Sequence, residues 1–178
     1  MTTYLEDLRE GWKYLSASRT ISKEDIAAFA GLSGDYSPLH TDDEWARENT
    51  PFRGRIAHGA LIFCISQGLP APVIDDIAVI AFLGFERTLT GPVYPGDTIS
   101  AQWTVAQVRR SRSGPERGIA CLSVTVVNQD GTIVQRGSDT YLVAARPQMP
   151  QQDGAPGSRE HADRGQDHAH HQSFGDSE

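Results

Sequence analysis

The stretch His58-Gly59-Ala60-Leu61-Ile62-Phe63-Cys64-Ile65-Ser66-Gln67-Gly68-Leu69-Pro70 decides how the chain must fold. Ala60 to Ile65 is unbroken apolar sequence, so a helix built on it has no polar face and is expected to be buried on all sides. It should start near His58-Gly59 and stop near Gly68-Leu69-Pro70, where Gly followed by Pro ends helices. Downstream the chain changes character. Segments at 78–87, 98–108, 118–127 and 132–143 are rich in Val, Ile, Thr and aromatics and read as four strands. In the second, Ile99, Ala101, Trp103 and Val105 alternate with Ser100, Gln102 and Thr104, which gives a sheet one apolar and one wet or interfacial face. Asn128-Gln129-Asp130-Gly131 supplies hairpin-turn residues between the last two. Helices first and hairpin-linked strands afterwards imply an α+β fold, an antiparallel sheet wrapped around one buried central helix.

Upstream of that helix the signals are shorter. Gly11 to Ser18, with Trp12 and Tyr14, suggests a brief strand. Ser22 with Asp25 three residues on forms a capping-box-like start, and Ile26, Ala27, Phe29 and Ala30 give a helical apolar stripe that Gly31 and Gly34 are expected to end. Pro38 pushes Ser37 away from helical geometry, so 35–40 should be an ordered turn. A short polar helix is expected at 42–48.

The chain has 178 residues and a formal net charge of -7, enough for one ordinary domain and the wrong sign for a phosphate-directed nucleic-acid binder. From Pro147 to Glu178 it is polar and rich in Pro, Gly and Gln, which predicts a folded domain over 1–146 and a disordered tail over 147–178. That tail holds six of the 23 acids and two of the 16 bases, so the domain itself is only mildly acidic. His161, His168, His170 and His171 lie in it and read as a solvated tract rather than a metal site. The longest apolar stretches fall short of the ~18 residues a membrane span needs. No basic and apolar leader opens the sequence, and a cytoplasmic location is expected. Cys64 and Cys121, each within an apolar segment, are expected to be buried free thiols.

Several catalytic signatures fail. The chain has no Gly-x-Gly-x-x-Gly, no P-loop and no His-Glu-x-x-His. Gly31-Leu32-Ser33-Gly34-Asp35 resembles a nucleophile elbow but lacks the fifth-position Gly and sits between helix and turn, which removes Ser33 as a nucleophile. A carboxylate and an imidazole remain, Asp35 and His40, on either side of Pro38. A rigid turn can aim both at one water molecule, the geometry of general acid/base catalysis. The same residues also suit an Asx-type turn at Asp35 and a helix cap at His40. Gly59 opens the apolar helix, where amides are unpaired and a ligand oxygen can approach closely; it is either an oxyanion donor or a glycine needed for tight packing. His58 reads as structural.

Phe29-Ala30-Gly31-Leu32-Ser33-Gly34-Asp35-Tyr36-Ser37-Pro38-Leu39-His40, with Ala46 six residues beyond, resembles the signature of the MaoC-like, R-specific enoyl-CoA hydratases. The similarity continues through Phe52 to Gly59 and, more loosely, through Gly91 to Thr98. The resemblance implies a hotdog fold, with Asp35 and His40 on the catalytic pair and Gly59 on the oxyanion amide. It implies a hydro-lyase that adds water to, or removes it from, the 2,3 double bond of an enoyl thioester, with neither metal nor other cofactor. An acyl-CoA is the expected partner, an acyl-carrier-protein thioester a further option, and a homodimer the expected assembly. The family carries Asn where this chain has Ser37, which bears on substrate preference more than on reaction type. Arg53, Arg55, Arg109, Arg110 and Arg112 are candidates for the phosphates of CoA or for solvated turns. A hotdog thioesterase and a non-catalytic acyl-thioester binder are the competing readings.

Overall fold

A computed structural model describes residues 2–71, 74, 76–112 and 114–147. Except for Pro147, the tail expected over 147–178 lies outside these residues, and so do its four histidines. Short strands β1 (Lys13–Leu15) and β2 (Arg19–Thr20) come first, then helices α1 (Lys23–Ser33), α2 (Pro38–Thr41), α3 (Asp43–Asn49) and α4 (Gly59–Gln67). Four long strands follow, β3 (Val79–Leu89), β4 (Thr98–Arg110), β5 (Arg117–Val127) and β6 (Ile133–Ala144). They pair antiparallel in the order β1-β4-β5-β6-β3, with β2 also on β4. The four strands and the central helix stand where the sequence placed them, each boundary within two residues. β2 was not anticipated; two residues carry no periodicity.

Local chemistry accounts for the helix ends. Ser22 Oγ accepts the Asp25 N–H at 3.0 Å while the Asp25 carboxylate accepts the Ser22 N–H at 2.9 Å, a complete capping box. α1 runs through Gly31 and ends at Gly34 alone, whose φ of +77° is the left-handed conformation that turns the chain toward Asp35. Within the expected turn, Pro38 at the first helical position begins the short α2 instead of an irregular loop. Asp42, not His40, caps the following helix by accepting the Glu44 and Trp45 N–H groups.

The core lies between the sheet and α4. Ile99, Ala101, Trp103 and Val105 of β4 and Ala120, Leu122, Val124 and Val126 of β5 are buried, as the alternation requires. They meet Leu61, Ile62 and Ile65 of α4. Two expectations fail on the other side of that helix. Ala60 and Cys64 are exposed, so α4 is not covered all round and Cys64 is not a buried thiol; Cys121 is half-buried. The sheet covers one side only, and the bare side continues through the Phe63–Phe85 stack, 4.1 Å between centroids, onto β3. Val79, Ile80, Phe82, Leu83, Phe85 and Leu89 of that terminal strand are all exposed.

A buried polar cluster underlies the carboxyl end of α4. Asp139, fully buried, accepts hydrogen bonds from Arg87 at 2.7 Å, from Gln67 at 2.8 Å and from the Trp103 indole at 3.1 Å. The Arg87 guanidinium also lies over the Phe63 ring. Tyr141 donates to Gln67 Oε1 at 3.2 Å. Burial, then the Asp139 charge, raises the Tyr141 pKa, with Arg87 pulling the other way, so the hydroxyl keeps its proton. Removing one partner from a buried ion pair costs more than the pair contributes, because the other charge is stranded. Asp139→Ala is therefore expected to lose about 3–5 kcal/mol in urea unfolding; a loss below about 1 kcal/mol contradicts the role given to the pair.

Candidate active site

The segment between α1 and α3 carries the two residues singled out by their spacing. Asp35 follows the left-handed Gly34, and its Oδ1 accepts the Ser37 N–H at 3.2 Å, an Asx turn that sets the start of α2. The turn uses Oδ1 and leaves Oδ2 on the side of His40. Ser33 is occupied locally: its hydroxyl donates to the Phe29 carbonyl at 2.7 Å and accepts the Asp35 N–H at 3.2 Å. Ser37 contributes through its backbone, and its side chain makes no cap bond to α2.

His40 is held by its other nitrogen. Nδ1 lies 2.8 Å from the Ile56 carbonyl, and a carbonyl only accepts, so Nδ1 carries a proton, and in the neutral ring Nε2 presents a lone pair. The Ile56 N–H returns a bond to the Leu39 carbonyl at 3.1 Å, so α2 is stapled to the segment that leads into α4. His40 Nε2 stands 3.9 Å from Asp35 Oδ2. That is too long for a direct hydrogen bond and suits one water held by both groups.

His58, read as structural, belongs to the same cluster. It is 3% exposed, immediately precedes α4, and stacks on the His40 ring with 3.8 Å between centroids. Its Nε2 donates to the Asp35 backbone carbonyl at 3.0 Å and lies 3.8 Å from Asp35 Oδ2. One histidine next to a glycine carries no sequence signal of such a contact, because Asp35 is 23 residues away. Asp35, His40 and His58 bring donor atoms within 4.8 Å of one another, close enough for a metal ion. The His58 Nε2 proton is engaged by the Asp35 carbonyl, however, which leaves the carboxylate and His40 Nε2 as free donors there, fewer than the three protein ligands of a catalytic zinc site.

A cavity of ≈ 510 Å³ opens beside the imidazole. His40, Gly59, Phe52, Ile62, Leu89 and Gln135 are among its walls. Gly59 begins α4, where an amide has no acceptor within the helix and the dipole is positive. A Cβ at Gly59 would lie 2.4 Å from Leu89 Cδ1 and 3.0 Å from its Cδ2, so any larger residue here would have to displace the end of the exposed Leu89 side chain. Sequence reasoning missed Gln135, whose Nε2 donates to the Gly59 carbonyl at 2.6 Å from across the fold. Of the candidate arginines, Arg55 pairs with Asp43, Arg53 lies over Tyr94, and Arg110 is bound by Glu6 and the Pro115 carbonyl. Arg109, Arg110 and Arg112 line a separate hollow.

An antiparallel sheet curled about one helix is the hotdog architecture. Residues 9–128 match the MaoC like domain family. The chain is 36% identical over 148 residues to an (R)-specific enoyl-CoA hydratase of Rhodospirillum rubrum, covering 80% of this chain and 93% of that protein. It superposes on the crystal structure of the MaoC-like dehydratase from the same organism with a TM-score of 0.72 at 33% identity, over 82% of this chain and 99% of the other. A Mycobacterium tuberculosis protein described as a double hotdog fold matches 88% of this chain with 47% of its own, at 24% identity and TM-score 0.70. The chain belongs to the MaoC-like family of hotdog hydratases and dehydratases.

The pocket wall around Phe52 and Ile56 is anchored by Asp43, which accepts the Arg55 N–H at 3.1 Å and its guanidinium at 3.0 Å. The Arg55 side-chain bond, followed by its backbone bond and charge and a weaker bond from Lys23, lowers the Asp43 pKa to about 2. A carboxylate depressed in the folded state adds stability that is present above the ordinary value of 3.8 and is lost as pH falls toward about 2. Asp43→Asn should therefore flatten the decline in thermal midpoint over that interval, and an unchanged slope contradicts the anchor.

Proposed function

We propose that the chain hydrates trans-2-enoyl thioesters, in the first place enoyl-CoA, to (R)-3-hydroxyacyl thioesters, and catalyses the reverse dehydration. The observation that carries this reading is the 3.9 Å gap between Asp35 Oδ2 and His40 Nε2, beside a cavity that begins at the first amide of α4. The family relation supports the reaction class, and the name of the R. rubrum relative supports the substrate class and product hand.

In this mechanism Asp35 and His40 hold one water as acceptors. The thioester carbonyl withdraws electrons from the double bond, so the β-carbon takes the water oxygen. One water proton passes to the dyad as the new C–O bond forms. The electron pair of the double bond moves onto the thioester oxygen, and the Gly59 N–H stabilises the enolate, a donor worth roughly 10²- to 10³-fold in rate. The enolate then collapses, and the dyad returns a proton to the α-carbon. Atoms balance with water as the only addition. The Nδ1 bond to Ile56 keeps His40 Nε2 ready as acceptor, and His58 steadies both partners by holding the Asp35 carbonyl and covering the His40 ring.

The exposed edge supports the expected homodimer. β3 has no partner on its outer side among the described residues, and its six exposed apolar side chains join the bare side of α4. Such an edge in water invites pairing. A second copy of the chain, laid edge to edge, would cover it.

Asp35→Asn and His40→Ala are each expected to lower kcat by ~10²-fold or more with unchanged circular dichroism, read from loss of enoyl-thioester absorbance. An S product, or activity within a few-fold of wild type, overturns the assignment. Release of free thiol without loss of the double bond would instead identify a thioesterase, and binding without turnover a non-catalytic subunit. For the assembly, light scattering on the eluting protein should give twice the chain mass for wild type and one chain mass for an Ile80→Glu, Leu83→Glu double variant; a monomeric wild type refutes the dimer.

A further inference from the structure

Gly59 opens α4 without needing glycine's conformational freedom. Its φ is not positive, unlike those of Gly34 and Gly96, and alanine is the better helix former. What keeps a side chain out is space. The three heavy atoms nearest the place a Cβ would take are Cδ1, Cδ2 and Cγ of Leu89. The end of the leucine thus stands where Gly59 would carry a side chain of its own. Leu89 is the last residue of β3, lines the cavity and is 61% exposed, so it has Gly59 on one side and solvent on the other. Among the cavity walls only Leu89 and Thr90 are exposed, whereas Ala57, Ile62, Val93, Val134 and Gln135 are buried, so the first two mark the mouth. The Thr90 hydroxyl is committed to the Ile133 carbonyl at 2.7 Å, which leaves Leu89 as the movable side chain there.

That mouth lies against the amide the mechanism uses. A Cβ is about 2.5 Å from its own nitrogen, which puts Leu89 Cδ1 no more than about 5 Å from the Gly59 nitrogen. A donor aimed at a developing charge acts far more strongly where water is excluded. A methyl fixed on Gly59 would crowd the amide at all times. The end of an exposed leucine changes rotamer within nanoseconds, so it can turn aside for an entering thioester and close again over it.

Building on the hydratase reading, we propose that Leu89 is a positioning residue, an apolar cover at the cavity mouth that stands in for the side chain Gly59 lacks and keeps water from the Gly59 amide. It acts through that amide on the step that forms the enolate and leaves the water-holding pair untouched. Its exposure means that the core does not depend on it, so trimming it leaves the fold in place.

Two readouts test it: kcat and KM for hydration of trans-2-butenoyl-CoA, and exchange of the Gly59 amide proton with water, followed by NMR in the ligand-free protein. Leu89→Ala should lower kcat about tenfold, part of what one oxyanion donor supplies, with KM little changed. It should also speed exchange at Gly59 and leave the other amides of α4 as they are. Leu89→Met, which keeps a flexible apolar end, should restore both. Gly59→Ala should lose activity because its methyl displaces the leucine. Added to Leu89→Ala, the same change should lower kcat no further, since the methyl enters space already vacated; independent effects would multiply instead. Leu89 also belongs to the exposed edge of β3, so each variant is sized by light scattering, and one that runs at a single chain mass is compared with the Ile80→Glu, Leu83→Glu protein. A loss carried by KM alone, multiplying effects in the double variant, or Gly59 exchange unchanged in Leu89→Ala overturns the proposal. If wild type hydrates no enoyl thioester, the hydratase reading fails by itself, and the exchange measurement still decides whether Leu89 covers the amide.

Discussion

The hydrogen bond from His58 Nε2 to the backbone carbonyl of Asp35, 3.0 Å long, joins the two halves of this site. Asp35 stands in the short irregular segment between α1 and α2, and its side chain is half-exposed. His58 is buried and leads directly into α4. Their bond makes the dyad part of the same body as the helix tip. The His40 bond to Ile56 and the Gln135 bond to Gly59 act in the same sense, each ending on a backbone carbonyl next to or at the start of α4. Two side chains from distant parts of the chain thus end on residues 56 to 59, and a third bond leaves that segment from His58 for Asp35. These bonds restrain the 3.9 Å separation of Asp35 Oδ2 and His40 Nε2, on which the proposed chemistry depends.

The helix is anchored differently at its two ends. At the amino end, polar contacts leave room for a ligand. At the carboxyl end, the buried Asp139 carboxylate accepts bonds from Gln67, Trp103 and Arg87 and so ties the three together under the last turn. Between them apolar packing against β4 and β5 carries the burial. The outer side of α4 and the outer edge of β3 remain apolar and uncovered, which explains why the helix sequence lacks a polar face although the sheet wraps only one side of it.

Much of this architecture was legible in local sequence because it depends on local rules. Ser22 and Asp25 cap each other three residues apart, Pro38 opens a helical turn, and β4 alternates at the pleat period. Asp35 and His40 were visible as a pair because one turn spans them. Cys64 was misjudged for a related reason: a run of apolar residues announces that it avoids water, but not whether its own sheet or another surface does the covering.

Sequence alone determined the order of helices and strands, the helix caps, the acid–imidazole pair and the family to which the chain belongs. Tertiary structure decided which atoms face each other across long separations. It set His58 against Asp35, Gln135 against Gly59 and Arg87 against Asp139, contacts with sequence separations of 23, 76 and 52 residues. The physical reason is that a buried polar side chain must find a partner somewhere, but which one lies within reach depends on how the sheet curls and where the helix crosses it.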